Sequence, residues 1–301
     1  SVQMSDEIIS GKQLEFLRKA VEIETTDAKA AGMVGYQARL WAQVSLPYRD
    51  PGAISKWVRT NGSLRLVVRP GEITQKDGSI HDGYPYGVVP RLLLTWMATE
   101  AVRLQDRELS LGPSLSSFMR TIGFERTGGA RIQRLQEQVQ RLAKCSMMVE
   151  DSRPNMLGGE HFTFADSWEL WWTPRDGDNE MLWPSTITLS EKYYQSIVAA
   201  PIPVDLRALG ALRTHGGGGL QLDLYTWLAH RMSYLRKSTL VPWALLAQQF
   251  GSQYAHLRQF RAKLLLALPK VQLVYPNAKI TVTDDGLLLS PSPTPIGPRR
   301  S

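Results

Sequence analysis

Arginine and glutamine are the side chains whose paired donors and acceptors match guanine and adenine edges in the major groove. Residues 130–144 carry four bases (Arg131, Arg134, Arg141, Lys144) and four glutamines (Gln133, Gln136, Gln138, Gln140) against one acid, Glu137. Ile132, Leu135, Val139 and Leu142 recur at steps of 3, 4 and 3, which makes them the buried side of a helix. At 100° per residue, Arg131, Arg134, Gln138 and Arg141 then fall on one exposed flank. Gln133, Gln136, Gln140 and Lys144 fall on the other. Pairing with one acid does not account for so basic a face. Gly128 and Gly129 let backbone approach a phosphate, and a helix N-terminus favours anions. Arg126 and Thr127 would add phosphate contacts. The competing reading is an ordinary solvated face.

A second stretch repeats this chemistry. Leu257, Phe260, Leu264 and Leu268 take the inward side, with His256, Arg258, Gln259 and Lys263 outward and Ala255 and Ala262 between them. Alanine lets a helix sit deep in a groove and can touch a thymine methyl. No acid occurs between Tyr254 and Lys270. Arg261, at the apolar edge, reads as a phosphate contact.

Catalytic alternatives are weak. The histidines (His81, His161, His215, His230, His256) are scattered without metal-ligand spacing. Gly216 to Gly219 lacks the lysine of a phosphate-binding loop and reads as a flexible linker. Tyr193-Tyr194 would suit a DNA-nicking enzyme only with a metal-binding histidine pair, so packed rings are the better reading. The expectation is no enzyme, no cofactor and no metal. The sole cysteine, Cys145, excludes an intrachain disulfide, fits a reducing compartment, and reads as a buried small hydrophobe. The chain has 301 residues, 43% hydrophobic and 21% charged, with formal charge +7 and pI near 9.5. That balance suits a globular protein with a polyanionic partner. No apolar run approaches the ~18 residues of a membrane span, and Ser1 to Glu24 lacks a signal-peptide core, so a cytoplasmic location is expected.

The elements that must position these residues follow from periodicity. Residues 11–31 read as a helix with Leu14, Leu17 and Val21 at helical spacing, then strands at Leu40–Leu46 and Leu64–Val68 as a small sheet. A helix from Pro90 to about Leu104 carries Leu93, Trp96, Met97 and Ala101. A short helix opens at Pro113 and stops at Gly123, before a turn and the first basic helix. Helix, short helix, turn, helix is the helix-turn-helix order. Strands at Met147–Val149 and Phe162–Trp172, joined by Pro154 to Gly159, read as its wing. From Leu220 the pattern returns: a long helix (Leu220, Leu224, Leu228, Met232), a short helix from Pro242 to Gly251, a basic helix over about 254–268, and strands at Val271–Tyr275, Ile280–Thr283 and Leu287–Leu289. The fold class expected is α+β, with two tandem winged-helix (helix-turn-helix) domains. Residues 1–80 would be an N-terminal helix and small sheet, a candidate dimerisation element. Residues 81–200 and 201–290 would be the two winged-helix domains, and 291–301 a disordered tail. Two unequal readers about 10 bp apart would recognise an asymmetric site in double-stranded DNA.

Several ordered motifs also resemble a known family. Gly83-Tyr84-Pro85-Tyr86-Gly87-Val88-Val89-Pro90-Arg91-Leu92-Leu93-Leu94, Arg107-Glu108-Leu109, Leu115-Ser116-Ser117-Phe118-Met119-Arg120 and Thr127-Gly128-Gly129 are similar to the plasmid-encoded RepA family of replication initiators. So are Tyr225-Thr226-Trp227-Leu228, Pro242-Trp243, Gln249-Phe250-Gly251 and Val274-Tyr275-Pro276. The resemblance covers roughly residues 80–290. It implies two winged-helix domains that bind iterons, the direct repeats of a plasmid origin, open adjacent AT-rich DNA, and recruit a host initiator ATPase and the replicative helicase. It also implies that homodimers, or paired complexes, limit copy number and repress the protein's own gene, and it implies a plasmid- and nucleoid-associated place in bacteria. A transcriptional repressor of the same fold is the alternative.

Overall fold

The computed structural model of the chain describes residues 10–123, 128–171, 185–216, 218–251 and 256–297. In chain order the first half holds α1 (Gly11–Thr25), β1 (Val34–Gln37), α2 (Leu40–Gln43), β2 (Trp57–Asn61), β3 (Leu64–Arg69), β4 (Gly71–Thr74) and β5 (Ile80–Gly83). Then come α3 (Val88–Leu104), β6 (Glu108–Ser110), α4 (Pro113–Thr121), α5 (Gly128–Lys144), β7 (Ser146–Arg153), β8 (Met156–Thr163), β9 (Ala165–Glu169), β10 (Thr186–Leu189) and α6 (Glu191–Ala199). The rest is β11 (Ile202–Asp205), α7 (Leu206–Ala211), a π-helical turn (Leu212–Gly216), α8 (Gly219–Tyr234), β12 (Thr239–Pro242), α9 (Trp243–Phe250), α10 (Leu257–Val274), β13 (Lys279–Val282) and β14 (Gly286–Ser290). None of the described helices is long and apolar enough to cross a membrane.

One order of parts occurs twice. A long apolar helix (α3, α8) leads to a strand (β6, β12), a short helix (α4, α9), a long helix (α5, α10) and later strands (β9–β10, β13–β14). Each set of strands forms a three-stranded antiparallel sheet with its last strand in the centre: β6-β10-β9 and β12-β14-β13. Local signals set these boundaries. Pro113 occupies the first turn of α4, and Gly123 follows it at φ +84°, the left-handed conformation that suits glycine. Gly251 closes α9 for a steric reason: a Cβ there would stand 2.5 Å from the Phe260 ring of α10.

The N-terminal segment departs from the sequence expectation. Leu40–Gln43 is a short helix, not a strand, and it buries Trp41 and Ala42; Trp41 Nε1 donates to Tyr193 Oη at 3.0 Å. Tertiary packing overrides a strand-like local composition there. The strand at Leu64–Arg69 is present, but it joins β2-β3-β7-β8, a four-stranded sheet that takes the first expected wing strand; the second, Phe162–Trp172, is divided between the end of β8 and β9 of the β6-β10-β9 sheet, and residues 156–159 of the expected joining loop belong to β8. In α1 the buried residues are Phe16 and Ala20, while Leu14, Leu17 and Val21 are exposed. The expected strand at Val271–Tyr275 is the end of α10, which runs through Pro269. Residues 291–297 are packed rather than free: Tyr275 Oη donates to the Pro293 carbonyl at 2.5 Å, and Ile296 is buried.

A continuous hydrophobic core joins the two repeated sets. Inside it Arg91 of α3 makes a bidentate pair with Asp223 of α8, at 2.8 and 2.9 Å, with the two side chains 7% and 9% exposed. Arg91 also donates to the Leu46, Pro47 and Gly87 carbonyls. Gly219, expected in a flexible linker, is instead the buried first residue of α8, and a Cβ there would stand 2.9 Å from Arg91 Nε. A second link ties α9 to the N-terminal segment. Buried Arg59 donates to the Gln249 carbonyl at 2.9 Å, and Gln249 Nε2 donates to the Ala42 carbonyl at 2.8 Å.

Candidate nucleic-acid interface

The helix α10 separates its faces cleanly. Phe260, Leu264, Ala267, Leu268 and Val271 are buried, while Arg258, Gln259, Ala262, Lys263 and Leu266 are exposed. Those positions step by 1, 3, 1 and 3 along the chain and form one stripe. The helix begins at Leu257 with His256 as N-cap, and both residues are exposed. Leu257, expected to face inward, is instead half exposed in the first turn of this helix. Arg261 is half-buried and stacks over the Trp243 ring at 4.9 Å. Ala255 lies outside the described residues. The stripe offers donors, an amide and a small apolar surface, with no acid on the helix to cancel the charge. The neighbouring β13–β14 turn carries exposed Asp284 and Asp285, so it would repel a phosphate backbone and leave contact to the helix.

The helix α5 differs. Leu135, Val139 and Leu142 are buried as expected, and Gln133 and Arg134 are exposed. The flank expected to be exposed further along is not: Gln136, Gln138, Gln140 and Arg141 are all buried. For Gln138, Gln140 and Arg141 the cause is the hairpin β4–β5 and the loop after it, which lie against the C-terminal half of α5, whereas Gln136 turns to the chain beyond β9 and donates to the Trp171 carbonyl at 3.5 Å. Gln140 pairs with Thr74 like a neighbouring strand, accepting from its N–H at 2.7 Å and donating to its carbonyl at 3.2 Å. Gln138 accepts from the Tyr86 N–H at 3.1 Å. Arg141 donates to the Tyr84 carbonyl at 3.1 Å and to Glu137 at 2.5 Å. Half-buried Lys144 donates to the Glu72 carbonyl at 2.8 Å. The glycines at the two ends of the hairpin, Gly71 and Gly83, are register partners. A Cβ on Gly71 would run into the Lys144 carbonyl, and one on Gly83 would stand 2.8 Å from Arg141 Nη1. In this arrangement Gln138 and Arg141 serve the fold. Arg126, Thr127 and the side chain of Arg131 lie outside the described residues, as does all of Gly128 except its place as first residue of α5.

Sequence reasoning missed what braces these helices. Arg213, on the π-helical turn, donates to the Gly123 carbonyl at 2.7 Å and so ties down the chain where α4 leads toward α5. The Arg91–Asp223 pair had a signal: each is a lone charge inside an apolar run, which in a buried helix calls for a partner. Tyr193 is buried, its hydroxyl accepts from Trp41, and its ring packs on Phe162 and Phe164. Burial pushes that phenol well above its ordinary pKa, which suits a packed ring. Cys145 is also buried, and burial pushes its thiol up.

The profile of the family described as plasmid-encoded RepA protein matches residues 84–243, just over half of the chain. No curated protein matches. A crystal structure of selenomethionine derivatives of domains 2 and 3 of RctB is similar at a TM-score of 0.52 and 13% identity, over 84% of this chain and 96% of that one. A second crystal structure of RctB domains 2–3 gives 0.49 and 13%, over 83% and 93%. At such identity the first likeness concerns the mixed α/β fold.

Proposed function

As the chain belongs to the family of plasmid-encoded RepA proteins, which are replication initiators, we propose that it binds repeated sites in double-stranded origin DNA through two winged-helix units in tandem. The observation that carries this is the acid-free exposed stripe of α10 on a helix whose opposite face is core. Arg258 and Gln259 would read base edges, Ala262 would allow close approach, and Lys263 would meet phosphate. Arg261, tied to Trp243, would contact phosphate from the helix edge. The twice-used order of elements and the twice-used sheet order support the tandem reading. In the first unit the reader would be the N-terminal half of α5, with Arg134 foremost and Arg126, Thr127, Gly128 and Arg131 beside it. Residues 81–200 and 201–290 would be the units, with 1–80 available for dimerisation.

The protein would act without catalysis or cofactor, by site recognition, distortion of adjacent DNA and recruitment of a host initiator ATPase and helicase in the bacterial cytoplasm. Much of its affinity would come from phosphate contacts and would fall steeply with salt. The test is selection of sites from random duplex DNA, followed by footprinting beside the gene. We expect an asymmetric site of about two helical turns, recurring as direct repeats. A single palindromic operator would replace this reading with a repressor, and absence of any sequence preference would sink both.

A further inference from the structure

Away from both basic helices lies a cavity of about 630 Å³ that neither α5 nor α10 lines. Its walls come from the segment around β1 and α2, the entry to β11, the end of α8 and the packed residues 294–297. The volume falls within the roughly 300–1,000 Å³ of small-molecule sites. Its charged side chains, Lys29 and Arg39, are both basic; His230 lines it beside them, and no carboxylate does. The Arg39 guanidinium makes no hydrogen bond or ion pair among the described residues. Tyr36 and Tyr234 supply rings, and Ile296 closes one side. The Tyr234 ring is edged by His230 at 5.0 Å and lies under Arg231 at 5.7 Å. Burial, then Arg39 and Arg231, push the His230 pKa from 6.5 down to about 4. The local field is therefore positive, hostile to a metal cation and favourable to an anion.

We propose that this cavity binds a free nucleotide, a nucleoside di- or triphosphate, with phosphate on Arg39 and Lys29 and the base against Tyr234. A lone phosphate would leave the rings unused, and an apolar aromatic would leave the cations unused. The same chemistry could come from one nucleotide of an unpaired strand. The free form is favoured because the packed tail residues wall the cavity on one side.

The test titrates the full chain with a fluorescent adenosine triphosphate analogue. Adenosine, orthophosphate and a short single strand serve as competitors, and duplex binding is measured in parallel. We expect saturable binding of one equivalent. Arg39→Ala should weaken it by about tenfold, as loss of one charged donor does. Tyr234→Ala should also weaken it, while Lys76→Ala, on the exposed β4–β5 turn, should not. Arg39 and Tyr234 are exposed, so thermal midpoints should hold and separate lost binding from lost folding. Retained duplex binding in both variants would separate this site from the DNA reading. Absence of saturable binding, affinity unchanged by Arg39→Ala, equal competition by orthophosphate alone, or binding of the single strand only would each overturn the proposal.

Discussion

Glutamine and arginine offer the same donors and acceptors to a peptide group as to a base edge, so residue type alone does not say which they meet. Gln140 meets Thr74, Gln138 meets Tyr86, and Arg141 meets Tyr84, whereas Arg134, Arg258 and Lys263 remain exposed. Substitutions should therefore separate. We expect Arg258→Ala to cost about 1–3 kcal/mol of duplex affinity, concentrated at one position of the site if the residue reads a base. Its stability should be unchanged. Arg141→Ala should instead cost about 1.5–3 kcal/mol of folding stability, the worth of hydrogen bonds from a charged group. Paired binding isotherms and denaturant curves would check both. His230 gives a pH dependence. The unfolded histidine takes a proton below about 6.5 and the folded one only below about 4. Unfolding therefore takes up a proton between those values, and stability should fall as pH is lowered through that window. In His230→Gln the fall should shrink, which denaturant midpoints against pH would show.

Among the elements, the hairpin β4–β5 has the most to test. Gly71→Ala sets a methyl against the Lys144 backbone carbonyl, and backbone there has little room to yield. We expect a destabilisation of about 1–3 kcal/mol, the range for overpacking. Faster amide exchange over residues 71–83 should accompany it, read by mass spectrometry; unchanged exchange would show that the hairpin does not depend on that close approach. Elements were legible where local chemistry decides them. Pro113 and Gly123 bracket α4, and the 3-4-3 spacing of α5 gives its buried side. They were not legible where distant chain decides. Nothing local in Leu40–Leu46 announces that Trp41 will bond to Tyr193, and nothing in α5 announces the hairpin that covers half of it. The interface follows the same division: the stripe on α10 is visible in the sequence because its residues stay exposed among the described residues.

For the molecule as a whole, the Arg91–Asp223 pair is a buried polar tie between the repeated sets. Breaking one partner of a buried pair leaves the other charge buried alone, which costs about 3–5 kcal/mol. We expect Asp223→Ala to lose about that much and to raise amide exchange in α3 and α8 together; loosening confined to α8 would mean that the halves fold independently. The pairing of β1 with β11 bears on how the protein is made. Val34 finds its partner at Asp205, far along the chain. A ribosome working at roughly 5–20 residues per second delivers that partner only after about ten to thirty seconds. Through that interval the nascent chain holds Trp41 and Leu46 without their final neighbours, so early synthesis is the stage at which a holding chaperone would matter most.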